Sequence, residues 1–324
     1  MAVSIETIKS PIAAELKIFE EKFREAMKSS VPLLDRIMQY IVKRKGKQMR
    51  PIFVLLSSKL FGDINETSYR AAALVELLHT ATLVHDDVVD DAYKRRGFFS
   101  VNALWKNKIA VMVGDYLLAK GLLLSLNNKD HEILRIMSEA VKQMSEGELL
   151  QIEKARKLDI KEDIYFDIIR KKTASLISSC CASGCASTNT DPEMIEKMGR
   201  FGEKVGITFQ IKDDLMDMGD EDTGKAKGID IQEKKLTLPL IYTLSQSDRS
   251  TKRRIINTIK NHSRNKEKVK EVIELIRDSG GIEYAAEAMT SYKNEALEIL
   301  YTLPDNEARG ALEQMVMFTT ERKN

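Results

Sequence analysis

Glycine and proline are scarce in this chain, 16 and 6 among 324 residues. So small a supply of turn residues excludes a fold of many short strands. Together with abundant Leu, Ile, Met, Ala, Lys and Glu, it predicts an all-α protein. An excess of charge of one sign is also missing: 51 basic residues face 49 acidic ones, a net charge of +2. No global attraction to nucleic acid follows from that balance. The one compact basic run, Lys43 to Arg50, lacks interleaved aromatics, and no basic helix is long enough to enter a groove, so no nucleic-acid partner is expected. Only three cysteines occur, Cys180, Cys181 and Cys185. Without a His or a fourth Cys beside them they read as small buried side chains rather than a zinc site.

No uninterrupted apolar run approaches membrane-spanning length, and Glu6, Lys9, Glu15 and Lys17 interrupt the first twenty residues. A signal peptide and a transmembrane segment are therefore not expected, and the chain reads as soluble and cytoplasmic. Solenoid periods, linkers and low-complexity tracts are lacking too. With 43% hydrophobic residues, residues 1–324 are expected to form one large helical domain.

What is present centres on the stretch from Leu77 to Gly97. Its first part is apolar at helical spacing, through Leu74, Leu77, Leu78, Ala81 and Val84, and its last part sets Asp86, Asp87, Asp90 and Asp91 against Lys94, Arg95 and Arg96. Steps of three and four residues bring Asp86, Asp87 and Asp90 together at the end of a helix. Two carboxylates about 6 Å apart repel by roughly 2 to 3 kcal/mol at an effective dielectric near 20. The negative end of the helix dipole adds to that repulsion. A hard, oxygen-loving divalent cation, Mg²⁺ above all, answers it, and Mg²⁺ brings phosphates with it.

The theme recurs. From Gly206 a second apolar helix runs to Asp213, Asp214 and Asp217, with the same spacing of aspartates. One such tip reads equally well as a solvated end. Two tips packed side by side put six carboxylates around one cavity, a site for several Mg²⁺ ions bridging a diphosphate. Lys47, Arg50, Arg95 and Arg96, with His79, are cationic donors suited to a second phosphate group, and Lys172, Lys225 and Lys235 approach the first from other sides. Helices are predicted over Ile8–Met27, Val31–Lys43, Ile52–Leu60, the aspartate-bearing stretch capped by Asn65 or Thr67, 109–126, 131–157, Ile164–Ala186 and from Pro192 to Asp217. Shorter helices are predicted to follow.

Between Lys43 and Pro239 the motifs resemble those of the trans-isoprenyl diphosphate synthases. Gly46-Lys47-x-x-Arg50-Pro51, Asp86-Asp87-x-x-Asp90-x4-Arg95-Arg96-Gly97, Lys172-Thr173-Ala174, Gly206-x-x-Phe209-Gln210-x-x-Asp213-Asp214-x-x-Asp217 and Lys235-x-Thr237-Leu238-Pro239 carry the likeness, with Gly114-Asp115 and Gly147-Glu148-x-x-Gln151. Lys45 and Lys234 depart from it, standing where that family often has Gly. The resemblance implies a single helical bundle of the isoprenoid synthase type around a central cavity, and a prenyltransferase that joins isopentenyl diphosphate to an allylic diphosphate. It implies about three Mg²⁺ ions held by Asp86, Asp87, Asp90, Asp213 and Asp214, with Asp217 acting through water. Arg95, Lys172, Gln210, Lys225 and Lys235 would bind the allylic diphosphate, and Gly46, Lys47, Arg50, His79 and Arg96 the isopentenyl diphosphate. Thr173, near a kink, would help stabilise the carbocation. A homodimer is implied as well, with 109–126 as its interface.

Product length should depend on the side chains below the first aspartates. Ala81 and Thr82, five and four residues before Asp86, are small where short-chain relatives carry Phe or Tyr, and Leu77 and Leu78 lie deeper. One helical turn rises about 5.4 Å, close to one isoprene unit. The expectation is a product of about six to eight units or more for a quinone side chain. The alternatives are a fifteen- or twenty-carbon synthase of the same fold, and a non-catalytic partner subunit, which would commonly have lost an aspartate motif.

Overall fold

The computed structural model describes residues 4–43, 46, 48–95, 97–158, 161–218 and 228–321. Lys45, Lys47, Arg96 and Lys225 lie outside the described residues, as does the side chain of Arg95. Helices α1 (Ile5–Lys9), α2 (Ala13–Ala26), α3 (Pro32–Val42) and α4 (Met49–Phe61) lead to α5 (Glu66–Val89). A two-residue ribbon then pairs β1 (Lys94–Arg95) with β2 (Phe98–Phe99). Next come α6 (Val101–Asn127), α7 (His131–Lys157), α8 (Glu162–Ile169), one π-helical turn at Arg170–Ala174, α9 (Ser175–Ala186) and α10 (Pro192–Met218). The chain continues through α11 (Ile229–Gln232), α12 (Leu238–Gln246), α13 (Arg249–Asn261), α14 (Lys266–Asp278), α15 (Gly281–Tyr301) and α16 (Glu307–Glu321). The fold is all-α apart from the ribbon.

Local chemistry sets the ends of the two aspartate helices. Asn65 caps α5 by accepting from the N–H groups of Thr67 and Ser68, and the Ser68 hydroxyl answers from the third position, so the cap is Asn65. At the other end Asp90 is the C-cap, which leaves the three aspartates on the last turn. Helix α10 opens on Pro192, whose missing N–H costs nothing there, with Asp191 accepting from the N–H of Glu193 at 2.9 Å.

Packing then fixes where those tips point. Leu74 and Leu78 of α5 join Val54 and Leu55 of α4 and Val205 of α10 in the main core. The adjoining part of the same face of α5, with Leu77, Ala81 and Val84, packs against Val113 and Leu117 of α6 and Ile37 of α3. A third cluster lies behind the tip of α10, where Ile211 and Met218 meet Ile231, Leu238 and Ile273.

Two expectations change. Helix α6 starts at Val101 and carries a break at Lys106, whose φ of 72° and ψ of 158° are not helical, so 109–126 is the part beyond that break. By length and composition α6 is also apolar enough to cross a membrane, with a mean hydropathy of 1.7 over its most apolar window. Its isolated charges, Asp115 and Lys120, do not lower that average enough. One face of α6 is packed on α5, and the other exposes Leu104, Met112, Leu122, Leu123 and Leu126.

Candidate active site

The tip of α10 is held by an unbroken line of hydrogen bonds. Thr173 donates to the Gln210 carbonyl at 2.9 Å, the Gln210 amide donates to Asp214 at 3.1 Å, and Tyr165 donates to the other Asp214 oxygen at 2.7 Å. The backbone N–H of Leu238 also reaches Asp214, at 3.3 Å. Burial pushes the Asp214 carboxyl up to about 7 even though its donors pull it down, and Tyr165 is raised well above its ordinary value by burial and by the Asp214 charge. Asp217 accepts from the backbone N–H groups of Ile229 and Asp230 at 3.0 and 3.1 Å, so it stitches α10 to α11. Both oxygens of Asp214 and of Asp217 are engaged by protein donors. Asp213, the first aspartate of the cluster, is half-buried.

Lys235 links this tip to that of α5. Its ammonium lies 3.8 Å from Asp230 and 2.5 Å from Glu233, and it senses the charge of Asp90. Burial opposes that ammonium, but the Glu233 hydrogen bond and the charges of Glu233, Asp230 and Asp90 outweigh it and raise its pKa. Asp230 in turn senses Asp217 and Asp213, and burial first, then those charges, lifts it to about 6. On α5, Asp86 is half-buried, Asp87 buried and Asp90 exposed. The backbone carbonyl of Asp87 accepts from the Asn102 amide at 3.0 Å, which ties the tip to α6.

A cavity of about 170 Å³ opens under the α10 tip, lined by Gln151, Tyr165, Lys172, Thr173, Gln210, Asp214, Asp230 and Lys235 among others. Lys172 enters it from the π-helical turn, 2.5 Å from Glu148 and 3.3 Å from Gln151. The volume is below the roughly 300 to 1,000 Å³ of pockets that enclose a whole ligand. Room for a polar head is open, and an elongating hydrocarbon needs side chains to move.

The other predicted residues fall as follows. Glu76, His79, Leu83 and Asp86 follow one another by three, four and three residues along one stripe of α5. Arg50 grips Glu76 through two nitrogens, at 2.9 and 3.3 Å, so its guanidinium is fixed at the foot of that stripe. Gly46 is exposed and His79 half-buried. Ala81 and Thr82 part company: Thr82 is half-buried and donates to the His79 carbonyl at 2.9 Å, whereas Ala81 is fully enclosed with Leu77 in the cluster against α6. At 100° per residue, Thr82 lies about 40° from Asp86 around the helix and Ala81 about 140°. Leu78 faces the main core.

Sequence reasoning passed over Tyr165 and gave Asp230 no role. Tyr165 precedes Lys172 by seven residues, two helical turns, and that shared stripe was the available signal.

A divalent cation suits this donor set. The carboxylates are hard oxygen ligands, and burial first of all raises Asp214 and Asp230. The Thr237 hydroxyl in the cavity wall and the Asn102 carbonyl beside Asp87 are buried polar atoms without a hydrogen-bond partner. Yet among the described residues no three acidic, His or Cys side chains stand close enough to hold an ion by themselves. Six carboxylates converging on one metal nest is thus more than the structure brings together, because Asp214 and Asp217 turn to protein donors. Mg²⁺ is normally held by one or two carboxylates plus substrate phosphates, and that arrangement fits.

Comparison with known proteins agrees with this fold. The polyprenyl synthetase family model matches residues 31–276, and the chain belongs to that family. It is 35% identical over 318 residues to an all-trans-nonaprenyl-diphosphate synthase (geranyl-diphosphate specific) of Rhodobacter capsulatus, covering 97% of each. A polyprenyl synthase of Caulobacter crescentus, solved with calcium and isoprenyl diphosphate, superposes with a TM-score of 0.90 at 29% identity, over 100% of this chain and 99% of that one. A geranylgeranyl pyrophosphate synthase of Bacteroides thetaiotaomicron gives 0.83 at 37% identity, over 98% and 99%. The protein is therefore a trans-prenyl diphosphate synthase, a prenyltransferase of a family that uses divalent metals.

Proposed function

We propose that this enzyme elongates an allylic diphosphate with isopentenyl diphosphate to a long-chain product, about six to eight units or more, that serves as a quinone side chain. The small Thr82, one turn below Asp86 on nearly the same face, carries this reading, with the equally small Ala81 beside it in the cluster against α6, and the similarity to a nonaprenyl synthase supports it. Lys172 and Lys235, with Arg95 and Lys225, bind the allylic diphosphate, and Gln210 keeps Asp214 and Thr173 in register with it. Gly46, Lys47, Arg50, His79 and Arg96 take the isopentenyl diphosphate on the neighbouring stripe. Asp86, Asp87, Asp90 and Asp213 would hold the Mg²⁺ ions, about three, with Asp214 and Asp217 as the scaffold behind them. When bound, the metal neutralises the departing diphosphate.

The allylic carbon–oxygen bond then breaks, and the cationic side chains hold the leaving group. The isopentenyl double bond attacks the allylic carbon. One proton is lost, with the released diphosphate as its acceptor, since no side-chain base stands out. The Thr173 hydroxyl and neighbouring carbonyls of the π-helical turn face the cation as dipoles. A homodimer through the apolar outer face of α6 completes the proposal, and the cytoplasm is its proposed location.

A short-chain product is the second reading, favoured by the 37% identity to a geranylgeranyl synthase and by the small open cavity. Incubation with Mg²⁺, farnesyl diphosphate and labelled isopentenyl diphosphate, followed by sizing of the dephosphorylated products, separates the two. Chains beyond twenty carbons are expected; chains of fifteen to twenty carbons would establish the rival. Thr82→Phe and Ala81→Phe should each shift the products shorter, the latter with a lower melting temperature because its site is dry. An unchanged distribution in both would remove positions 81 and 82 from length control.

A further inference from the structure

Residues 249–268 hold eight lysines and arginines against a single acid, Glu267. Taking these out of the totals of 51 and 49 leaves the rest of the chain net acidic. Helix α13 buries Ile255, Thr258 and Ile259 and turns Arg249, Lys252, Arg253, Arg254 and Lys260 outward. Some exposed cations elsewhere rest on carboxylates, as Lys22 does on Glu66 at 2.9 Å and Arg135 on Glu132 at 2.6 Å. None of the five on α13 is in an ion pair among the described residues. Asp248, beside Arg249, spends its carboxylate on the N–H groups of Ser250 and Thr251 and on the Thr251 hydroxyl, and of the five cations it senses Arg254.

At the C-terminal end of α13 a polar hollow of about 420 Å³ lies among Lys234, Lys260, His262 and Arg264. Lys234 holds a left-handed backbone, φ 60°, and its ammonium donates to the Lys260 carbonyl at 3.2 Å. The hollow therefore adjoins the diphosphate site: Lys234 faces it, while Lys235, the next residue, lines the catalytic cavity.

We propose that this face is a peripheral docking surface for a bilayer rich in anionic phospholipid, with a head-group phosphate entering the hollow. No large apolar side chain of residues 229–270 is exposed, so the surface offers attraction by charge without the apolar centre of a protein interface. It equally lacks an exposed aromatic on which bases would stack. The purpose of docking rests on the long-chain reading, because such a product partitions into lipid; its test does not.

Full-length enzyme is sedimented with phosphatidylcholine vesicles and with vesicles carrying about one third phosphatidylglycerol. Binding is expected only to the anionic vesicles. It should disappear as salt rises from about 0.1 M to about 1 M, which shortens the screening length from about 10 Å to about 3 Å. The triple variant Lys252→Glu, Arg253→Glu, Arg254→Glu should bind at least about tenfold more weakly. Its vesicle-free prenyl transfer should be unchanged. Lys234→Gly, which keeps the turn, should weaken binding by a smaller factor. Equal binding to neutral vesicles, wild-type binding by the triple variant, or displacement of the anionic vesicles by an oligonucleotide would overturn the proposal. Loss of prenyl transfer in wild-type enzyme would instead contradict the catalytic assignment and leave vesicle binding as it is.

Discussion

At the scale of single residues, the second aspartate cluster divides its labour. Asp214 and Asp217 spend their oxygens on Tyr165, Gln210, Leu238, Ile229 and Asp230, and Asp213 is the one of the three proposed to reach the metal. Removing the hydroxyl in Tyr165→Phe takes one donor from a buried carboxylate, and losses of outer support of this kind cost about 10- to 100-fold. Steady-state kinetics at varied Mg²⁺ should show that loss together with a weaker metal requirement curve. Protonation offers a second check. Asp214 and Asp230 titrate at about 7 and about 6 in the fold, above their ordinary value of 3.8, so the folded state favours their neutral forms. Their stabilising contribution is complete below about pH 4 and is lost as pH rises through 6 and 7. The melting temperature of metal-free enzyme should fall between about pH 4 and about pH 7, and Asp214→Asn should flatten that fall. A wild-type profile without slope would show that the burial of these carboxylates is already compensated.

At the scale of elements, the site depends on one π-helical turn pressed between two helices. A Cβ on Gly206 of α10 would come within 2.5 Å of Ala174 Cα, and one on Gly147 of α7 within 2.7 Å of the Lys172 nitrogen. Both contacts are with backbone, which cannot swing aside. Gly206→Ala and Gly147→Ala should each destabilise by about 1 to 3 kcal/mol, as overpacking does, and displace Lys172 or Thr173. Urea denaturation and the KM for the allylic substrate measure the two effects. The helices themselves were legible because their ends carry local chemistry, Asn65 and Pro192 above all. The Lys106 break was not, since it carries no Gly or Pro, and the π-helical turn was expected only through the resemblance, as a kink near Thr173. The aspartate spacing likewise announced a site, whereas the diversion of Asp214 and Asp217 depends on Tyr165, Ile229 and Leu238, which no local pattern connects to them.

At the scale of the molecule, α6 presents Met112, Leu122, Leu123 and Leu126 to the outside on a helix whose other face is packed on α5. A second copy of the chain is the proposed cover. The double variant Met112→Lys, Leu123→Lys should sediment as a monomer in analytical ultracentrifugation where the parent sediments as a dimer; a monomeric parent would reject the interface. The central claim is that the tips of α5 and α10 address one metal-bound diphosphate. Its most direct test is Mg²⁺-dependent binding of the unreactive thiolo analogue of farnesyl diphosphate, measured by calorimetry for wild type, Asp86→Asn, Asp213→Asn and the double variant. The account predicts that each single change weakens binding at least about tenfold and that the double change does little more than either. Wild-type affinity in either single variant would contradict it.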